Sequence, residues 1–409
     1  MRAKFSDTVV ASAAGREMTS ILRSCVHCGF CNATCPTYQL TGDELDGPRG
    51  RIYLIKSMLE NAAISEDTQR HLDRCLTCRA CETTCPSGVR YSRLLDLARP
   101  LVDEKVPRPL AMRFKRWLLR QVVPYPRRFK WLASLGRVVK PLVPRGLAEL
   151  VPAPPRPYAE PAAKVSSRRM VLLEGCVQAS AAPAINAAAR EVFDRLDVTL
   201  ESPAGAGCCG AVSYHLGNHA EALQCARRNI DAWSDAIEQG AEAVMSTSSG
   251  CTVMLKEYAT MLAGDPDYAG RAARIADLVC DPAELIDPEA LSAVCRVPDG
   301  SRIAFHAPCT LQHGLNGASG VERCLRSVGY ELTDVADAHL CCGSAGTYSL
   351  LQPQLADALL ESKLGALEHG EPDAYVSANI GCLMHLQRRA TRPVMHWLEM
   401  IRPHLVGPR

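Results

Sequence analysis

The segments CVHCGFCNATCP (residues 25–36) and CLTCRACETTCP (residues 75–86) share one punctuation. Cys25, Cys28, Cys31 and Cys35 precede Pro36, and Cys75, Cys78, Cys81 and Cys85 precede Pro86. Three cysteines spaced two residues apart can wrap three corners of one iron–sulfur cubane. The fourth, three residues on and followed by proline, turns away toward a second cluster. The motif therefore predicts two [4Fe–4S] clusters with exchanged ligands. Cys25, Cys28, Cys31 and Cys85 hold one; Cys75, Cys78, Cys81 and Cys35 hold the other. C-x2-C pairs also occur in tetrahedral zinc sites, but zinc explains neither the third x2 spacing nor the terminal proline. A cubane with four thiolates has no open iron for a substrate, so one-electron transfer is the expected task and two clusters form a relay.

Between the two motifs, Ile52, Ile55, Met58 and Leu59 recur at helical spacing. Short helices joining metal loops are expected, giving a helical ferredoxin-type domain over residues 1–105. The chain has 409 residues and 20 cysteines, with 47% apolar and only 5% aromatic residues. That length carries a sizeable core without disulfides, so sulfur in a reducing compartment reads as metal or redox chemistry. The N-terminal MRAKFSDTVVASAAG is interrupted by Asp7 and is too short in its apolar run for a signal peptide. No uncharged apolar run reaches the roughly 18 residues of a membrane-spanning helix.

The net charge of +2 hides an asymmetry: residues 106–146 contain eleven Arg or Lys and no Asp or Glu. There the cations interleave with Phe114, Trp117, Leu118, Phe129, Trp131 and Leu135, which predicts two short basic amphipathic helices broken at Pro124 and Pro126. Such helices can lie on an anionic membrane surface or pack their apolar faces on the protein or a partner. Nothing else in the chain supports nucleic-acid binding. VPAPPRPYAEPAAK follows and resists regular structure, so a linker is expected at about residues 151–165, closing a connecting segment over 106–165.

The remainder repeats itself. MVLLEGC (170–176) corresponds to IAFHAPC (303–309), GCCGAVSY from Gly207 to LCCGSAGTY from Leu340, and AVMSTSSGC (243–251) to AYVSANIGC (374–382), at offsets of 133, 133 and 131 residues. Helical patterns fill the intervals, so each unit reads strand, helix, strand, Cys loop, helix, strand. The fold expected is α+β multidomain: the helical ferredoxin-type domain, then two pseudo-symmetric α/β Cys-Cys-Gly units over 166–298 and 299–409.

Each unit offers four repeated cysteines: Cys176, Cys208, Cys209 and Cys251, then Cys309, Cys341, Cys342 and Cys382. Four thiols suffice for one further iron–sulfur cluster per unit, although buried structural cysteines would leave the same trace. Gly210 and Gly343 would let the backbone turn sharply beside a bulky ligand. Residues 205–210 formally match G-x-G-x-x-G, but the second repeat keeps only Cys-Cys-Gly, so the shared element is sulfur. Cys225, Cys280, Cys295 and Cys324 lack repeat counterparts and read as small core residues. His215, His313, His339 and His385 read as hydrogen-bonding histidines without a metal role.

Two ferredoxin motifs followed by paired Cys-Cys-Gly units resemble the iron–sulfur subunits related to heterodisulfide reductase, succinate dehydrogenase-type and anaerobic glycerol-3-phosphate dehydrogenase systems. The segments ILRSCVHCGFCNATCPTYQLTGDELDGPRGRIYLIK, HLDRCLTCRACETTCPSGVRY, GCCGAVSYHL and HLCCGSAGTY are most similar to the iron–sulfur subunits of bacterial glycolate dehydrogenase (glycolate oxidase) complexes. The resemblance implies an electron-transfer subunit beside FAD-containing partner subunits that oxidise glycolate to glyoxylate. It also implies a quinone or other electron acceptor and a cytoplasmic location, peripheral on the inner face of the membrane. D-lactate- or glycerol-3-phosphate-linked subunits of the same build, and a thiol–disulfide reductase, are the alternatives. The sequence departs from the heterodisulfide reductase pattern of C-x-x-C at each repeat end. Thr-Val-Met follows Cys251 and Leu-Met-His follows Cys382, so the fifth thiol is missing.

Overall fold

The structure is a computed structural model that describes residues 5, 11–60, 64–159, 166–298 and 300–406. Most of the N-terminal stretch weighed as a leader, and the end of the Pro-rich linker, lie outside these residues. Cys-rich loops alternate with short helices up to Lys105. Helix α1 (Ala13–Ser24) begins at Ser12, whose Oγ accepts the Gly15 N–H at 2.9 Å. Helix α2 (Pro48–Leu59) buries Ile52, Ile55, Met58 and Leu59, the stripe legible in the sequence. Helix α3 (Glu66–Asp73) and helix α4 (Tyr91–Lys105) complete the bundle, whose core joins Leu22, Ile55, Leu72, Leu94 and Leu95 with the Cys25, Cys75 and Cys81 side chains.

Two helices follow, α5 (Leu110–Val122) and α6 (Pro126–Val139), with the break at Pro124 and Pro126 as the sequence indicates. The first α/β unit contains β1 (Arg168–Leu172), α7 (Pro183–Arg195), β2 (Val198–Glu201), α8 (His219–Glu238), β3 (Val244–Met245), α9 (Ser249–Lys256) and β4 (Val279–Cys280). The second contains β5 (Arg302–His306), α10 (Ala318–Ser327), β6 (Glu331–Leu332), α11 (Pro353–Glu368), β7 (Ala374–Ser377), α12 (Ile380–Leu386) and β8 (Val394–His396).

Both sheets are parallel, and their orders, β2-β1-β3-β4 and β6-β5-β7-β8, are the same arrangement twice. The fourth strand of each sheet extends the repeat read from the sequence; at two and three residues, β4 and β8 are too short to show a periodicity. The sheets share one core, in which Met170, Leu172 and Phe193 meet Phe305, Val376 and Trp397. Outer helices cover the remaining faces, α8 through Ile230 and Trp233, α11 through Leu360 and Leu367. The segment before β5 belongs spatially to the second unit, since Cys295 bridges Leu405 and the Val297 N–H donates to the Val328 carbonyl at 2.8 Å.

The Cys-Cys-Gly turn is the tightest point of each unit. Gly210 and Gly343 sit at φ +94° and +91°, and a Cβ on Gly343 would stand 2.6 Å from the Ala356 carbonyl oxygen. Gly343→Ala therefore combines left-handed strain with a backbone clash and should lower unfolding stability by about 2–5 kcal/mol. Gly365→Ala, on the open face of α11, where an added Cβ would meet no atom of the described residues within 4 Å outside its own helix, should be neutral or stabilising by up to about 1 kcal/mol. Equal denaturation midpoints for the two variants would contradict this account.

Candidate metal centres

The two ferredoxin loops fold alike because each forces the same backbone inversion. His27 and Gly29 in the first, and Thr77 and Arg79 in the second, occupy positive φ at matching positions between the cysteines. Three of these four are not glycine, so the strain is held by the surrounding structure. The inversion turns the thiols inward, and the Thr77 N–H donates to Cys75 Sγ at 3.4 Å.

Two small cavities result. Cys25, Cys28, Cys31 and Cys85 line one; Cys35, Cys75, Cys78 and Cys81 line the other, and Cys81 borders both. The fourth cysteine of each motif thus lies with the first three of the other. Burial, then the neighbouring Cys25 and Cys85, pushes the Cys31 thiol up to about 11. Burial, then neighbouring thiols, drives Cys78 and Cys81 well above the usual range as well. Thiols crowded in this way ionise when a metal cation takes the place of their protons, so the donor sets suit iron–sulfur clusters.

A buried charge network braces the second cavity. Arg51, 1% exposed, donates from Nε to the His71 carbonyl at 2.8 Å and from a guanidinium nitrogen to Thr37 Oγ1 at 3.1 Å, and its other terminal nitrogen is 4.0 Å from Cys35 Sγ. Asp46, fully buried, pairs with His71 Nδ1 and Arg74 at 2.7 Å each. Burial alone would raise the Asp46 carboxyl, but these bonds hold it below the usual carboxylate range. Neither Asp46 nor Arg51 stands out in the sequence; the only trace is that Arg51 falls on the same helical face as Ile55 and Met58.

In the α/β units the strand order reverses between β1 and β3, and between β5 and β7, the crevice where parallel sheets bind ligands. Cys176 and Cys251 flank the first crevice, Cys309 and Cys382 the second, and the Cys-Cys-Gly turns bring Cys208, Cys209, Cys341 and Cys342 alongside. Cys208 contacts Cys176, Cys209 and also Cys225. The reading of Cys225 as a core residue therefore does not hold: from α8 it adds a fifth thiol to the first group. Cys295 and Cys324 are buried in the apolar core, as expected.

In the second group Cys309 Sγ lies 3.9 Å from Cys341 Sγ, Asn379 Nδ2 donates to Cys382 at 3.4 Å, and His306 meets Cys342 and Cys382 with all three donor atoms within 4.8 Å of one another. His306 was missed in the sequence, although a histidine inside the apolar strand RIAFH was a signal. Burial lowers its imidazole to about 3 and keeps it neutral. The four histidines noted in the sequence have other surroundings. His313 bonds to Thr83 Oγ1 and the His339 carbonyl, His385 to the Ala356 carbonyl, and His215 lies 3.7 Å from Asp96.

The thiol groups form one succession. Cys78 packs with Cys309 and Cys341 where Leu76 and Tyr348 join the ferredoxin domain to the second unit, and Tyr348 Oη donates to the Arg74 carbonyl at 3.1 Å. The two units meet at their Cys loops, with Ser248 Oγ donating to Asn379 Oδ1 at 2.6 Å and Ser249 and Thr310 hydroxyls 2.7 Å apart. A cavity of about 1310 Å³ touches all the repeated cysteines except Cys342 and reaches Leu119, Val122, Phe129 and Leu132 of α5 and α6. Those helices are anchored by Arg116 to Asp103 and Arg120 to Glu221, while Leu110 (78% exposed) and Trp131 (68%) face outward with Phe114 and Val138.

Residues 21–89 match the 4Fe-4S dicluster domain family, and residues 170–256 and 303–387 each match the cysteine-rich domain family. Over 406 residues the chain is 50% identical to the glycolate oxidase iron-sulfur subunit of Escherichia coli (strain K12), covering 98% of both chains. It is 28% identical over 397 residues to the probable glycolate oxidase iron-sulfur subunit of Bacillus subtilis (strain 168), covering 90% of this chain and 88% of that one. Lactate utilization protein A of Bacillus velezensis is 30% identical over 221 residues, 52% of this chain and 89% of that protein.

The network around Asp46 gives a direct test. Arg51→Met leaves a buried carboxylate short of a cation and should cost about 3–5 kcal/mol in unfolding stability. Arg49→Met removes a half-exposed pair with Glu44 and should cost at most about 1 kcal/mol. Denaturant titration of both variants measures the difference.

Proposed function

The chain belongs to the family of glycolate oxidase iron–sulfur subunits, and from that membership we propose that it carries electrons from glycolate oxidation, on FAD-containing partner subunits, to a quinone at the membrane surface. The observation that carries this reading is the unbroken succession of thiol groups from the ferredoxin loops to the large cavity. Cys25, Cys28, Cys31 and Cys85 hold one [4Fe–4S] cluster, and Cys75, Cys78, Cys81 and Cys35 hold the second. Each cluster supplies a one-electron store when bound. The repeated cysteines of the two Cys-Cys-Gly units hold further clusters.

The protein's own residues set the direction. Cys28 is exposed and flanked by exposed Val26 and Phe30, which offers a flavoprotein a contact beside the first cluster site. Cys78 against Cys309 brings the second cluster site to the cavity. The cavity's apolar wall on α5 and α6 suits a hydrophobic acceptor, and the outward face of these helices combines exposed Trp, Phe and Leu side chains with the cations of residues 106–146. Among the described residues no helix is long and apolar enough to cross a membrane.

Two measurements test the reading. In the complex purified anaerobically with its partner subunits, glycolate should reduce the clusters seen by EPR and D-lactate should not; lactate turnover without glycolate turnover would overturn the substrate assignment. The chain should also sediment with vesicles containing anionic lipid and much less with zwitterionic ones. Trp131→Glu should abolish that binding without loss of iron, and equal binding to both vesicle types would remove the membrane proposal.

A further inference from the structure

We propose that His306 is a nitrogen ligand of the metal centre in the second Cys-Cys-Gly unit, which makes that centre a mixed thiolate–imidazole site while its counterpart in the first unit is all-sulfur. The proposal rests on the reading that the second unit binds an iron–sulfur cluster.

His306 ends β5 at the ligand-binding edge of the sheet and is 1% exposed. Among the described residues neither ring nitrogen has a hydrogen-bond partner. A buried polar atom left unpaired is costly, and the neutral imidazole has two such atoms. Its ring approaches Cys342 and Cys382 as a third metal donor, with the three ligand atoms within 4.8 Å of one another. Coordination through the unprotonated nitrogen supplies a partner for one of the two. His385 stands three residues after Cys382, where a C-x-x-C pattern would place a fifth thiol, but its Nε2 is turned to the Ala356 carbonyl at 3.3 Å. The fifth donor of this unit therefore comes from the strand rather than from α12.

The repeat places Leu173 opposite His306, so the first unit has no imidazole there. Conversely, Gly210 packs against Ala222 and Cys225 where Gly343 packs against Ala356 and Leu359, so the extra thiol of the first unit is replaced by an apolar side chain in the second. Asn229, one turn beyond Cys225, has Lys363 as its counterpart, a buried cation whose Nζ donates to the Asp337 carbonyl at 2.8 Å. Each unit thus has one donor beyond the repeated four, sulfur in the first and nitrogen in the second. A cubane has four iron positions, so His306 takes one in place of a repeated thiolate; a neutral imidazole there makes a cluster less negative and raises its reduction potential, and the buried Lys363 acts in the same sense. The second centre, beside Cys78, is accordingly the more oxidising of the pair.

Pulsed EPR of the reduced full-length protein, grown with 15N-labelled histidine, decides the matter. One cluster signal should show direct nitrogen coupling that survives in His385→Gln and disappears in His306→Cys. In His306→Cys the iron content should stay at the wild-type level, the signals of the two N-terminal clusters should remain as a control for folding, and the potential of the altered signal should fall. Absence of nitrogen coupling in the wild type, with iron above the roughly eight atoms of two cubanes, would overturn the role of His306 and leave the cluster reading standing. Iron at about eight per chain would overturn both. Nitrogen coupling that persists in His306→Cys would likewise refute the assignment.

Discussion

The burial of sulfur is the constraint on which this molecule turns. The ferredoxin domain has a small core in which Cys25, Cys75 and Cys81 pack with leucine and isoleucine side chains. Thiolates are costly in such surroundings, and burial drives Cys31, Cys78 and Cys81 upward accordingly. A metal would relieve the cost by taking the protons' place, which would couple its binding to the folding of this domain. The positive φ angles at His27, Thr77 and Arg79 belong to the same balance, because backbone strain at these positions is tolerated where ligation rewards the inverted turn.

Charge compensation extends that logic beyond the ligands. Arg51 and Asp46 are sunk beside Cys35, and an isolated pair at such depth would gain little over apolar side chains of similar size. Four partners change the account: His71 and Arg74 on the carboxylate, the His71 carbonyl and Thr37 on the guanidinium. The guanidinium is left close to Cys35, where it offsets the negative charge that ligation would bring. Lys363 stands in the same relation to the thiols of the second Cys-Cys-Gly unit, and in the first unit the neutral Asn229 takes that place. The two units therefore share a topology and differ in electrostatics.

The sequence made the architecture legible where chemistry repeats. The C-x2-C-x2-C-x3-C-P runs specify both loops and indicate that their fourth cysteines cross over, because the spacing itself encodes the path of the chain around a cubane. The repeat in the second half places the crevices and the Cys-Cys-Gly turns for the same reason. What stayed hidden depends on contacts across the chain. Cys225 has no repeat counterpart, and only the approach of α8 to the Gly210 turn brings it to Cys208. His306 lies in a strand whose apolar neighbours suggest plain core. The depth of Arg51 follows from the packing of α2 against Thr37 and His71, which no local pattern records.

The basic hairpin connects these sites to the outside. Its cations divide into two sets: Arg116 and Arg120 clamp the helices to Asp103 and Glu221, while Arg113, Arg127 and Lys130 remain exposed among Phe114, Tyr125 and Trp131. A helix pair meant only to pack on its own protein would turn Trp131 and Leu110 inward, and here the residues turned inward are Leu119, Val122 and Phe129, which wall the cavity. One element thus carries two apolar faces, one toward the thiols and one toward solvent. That arrangement is costly for a freely soluble chain. It suits a helix pair that covers the thiol cavity on one side and offers an apolar face set among cations to a partner surface on the other.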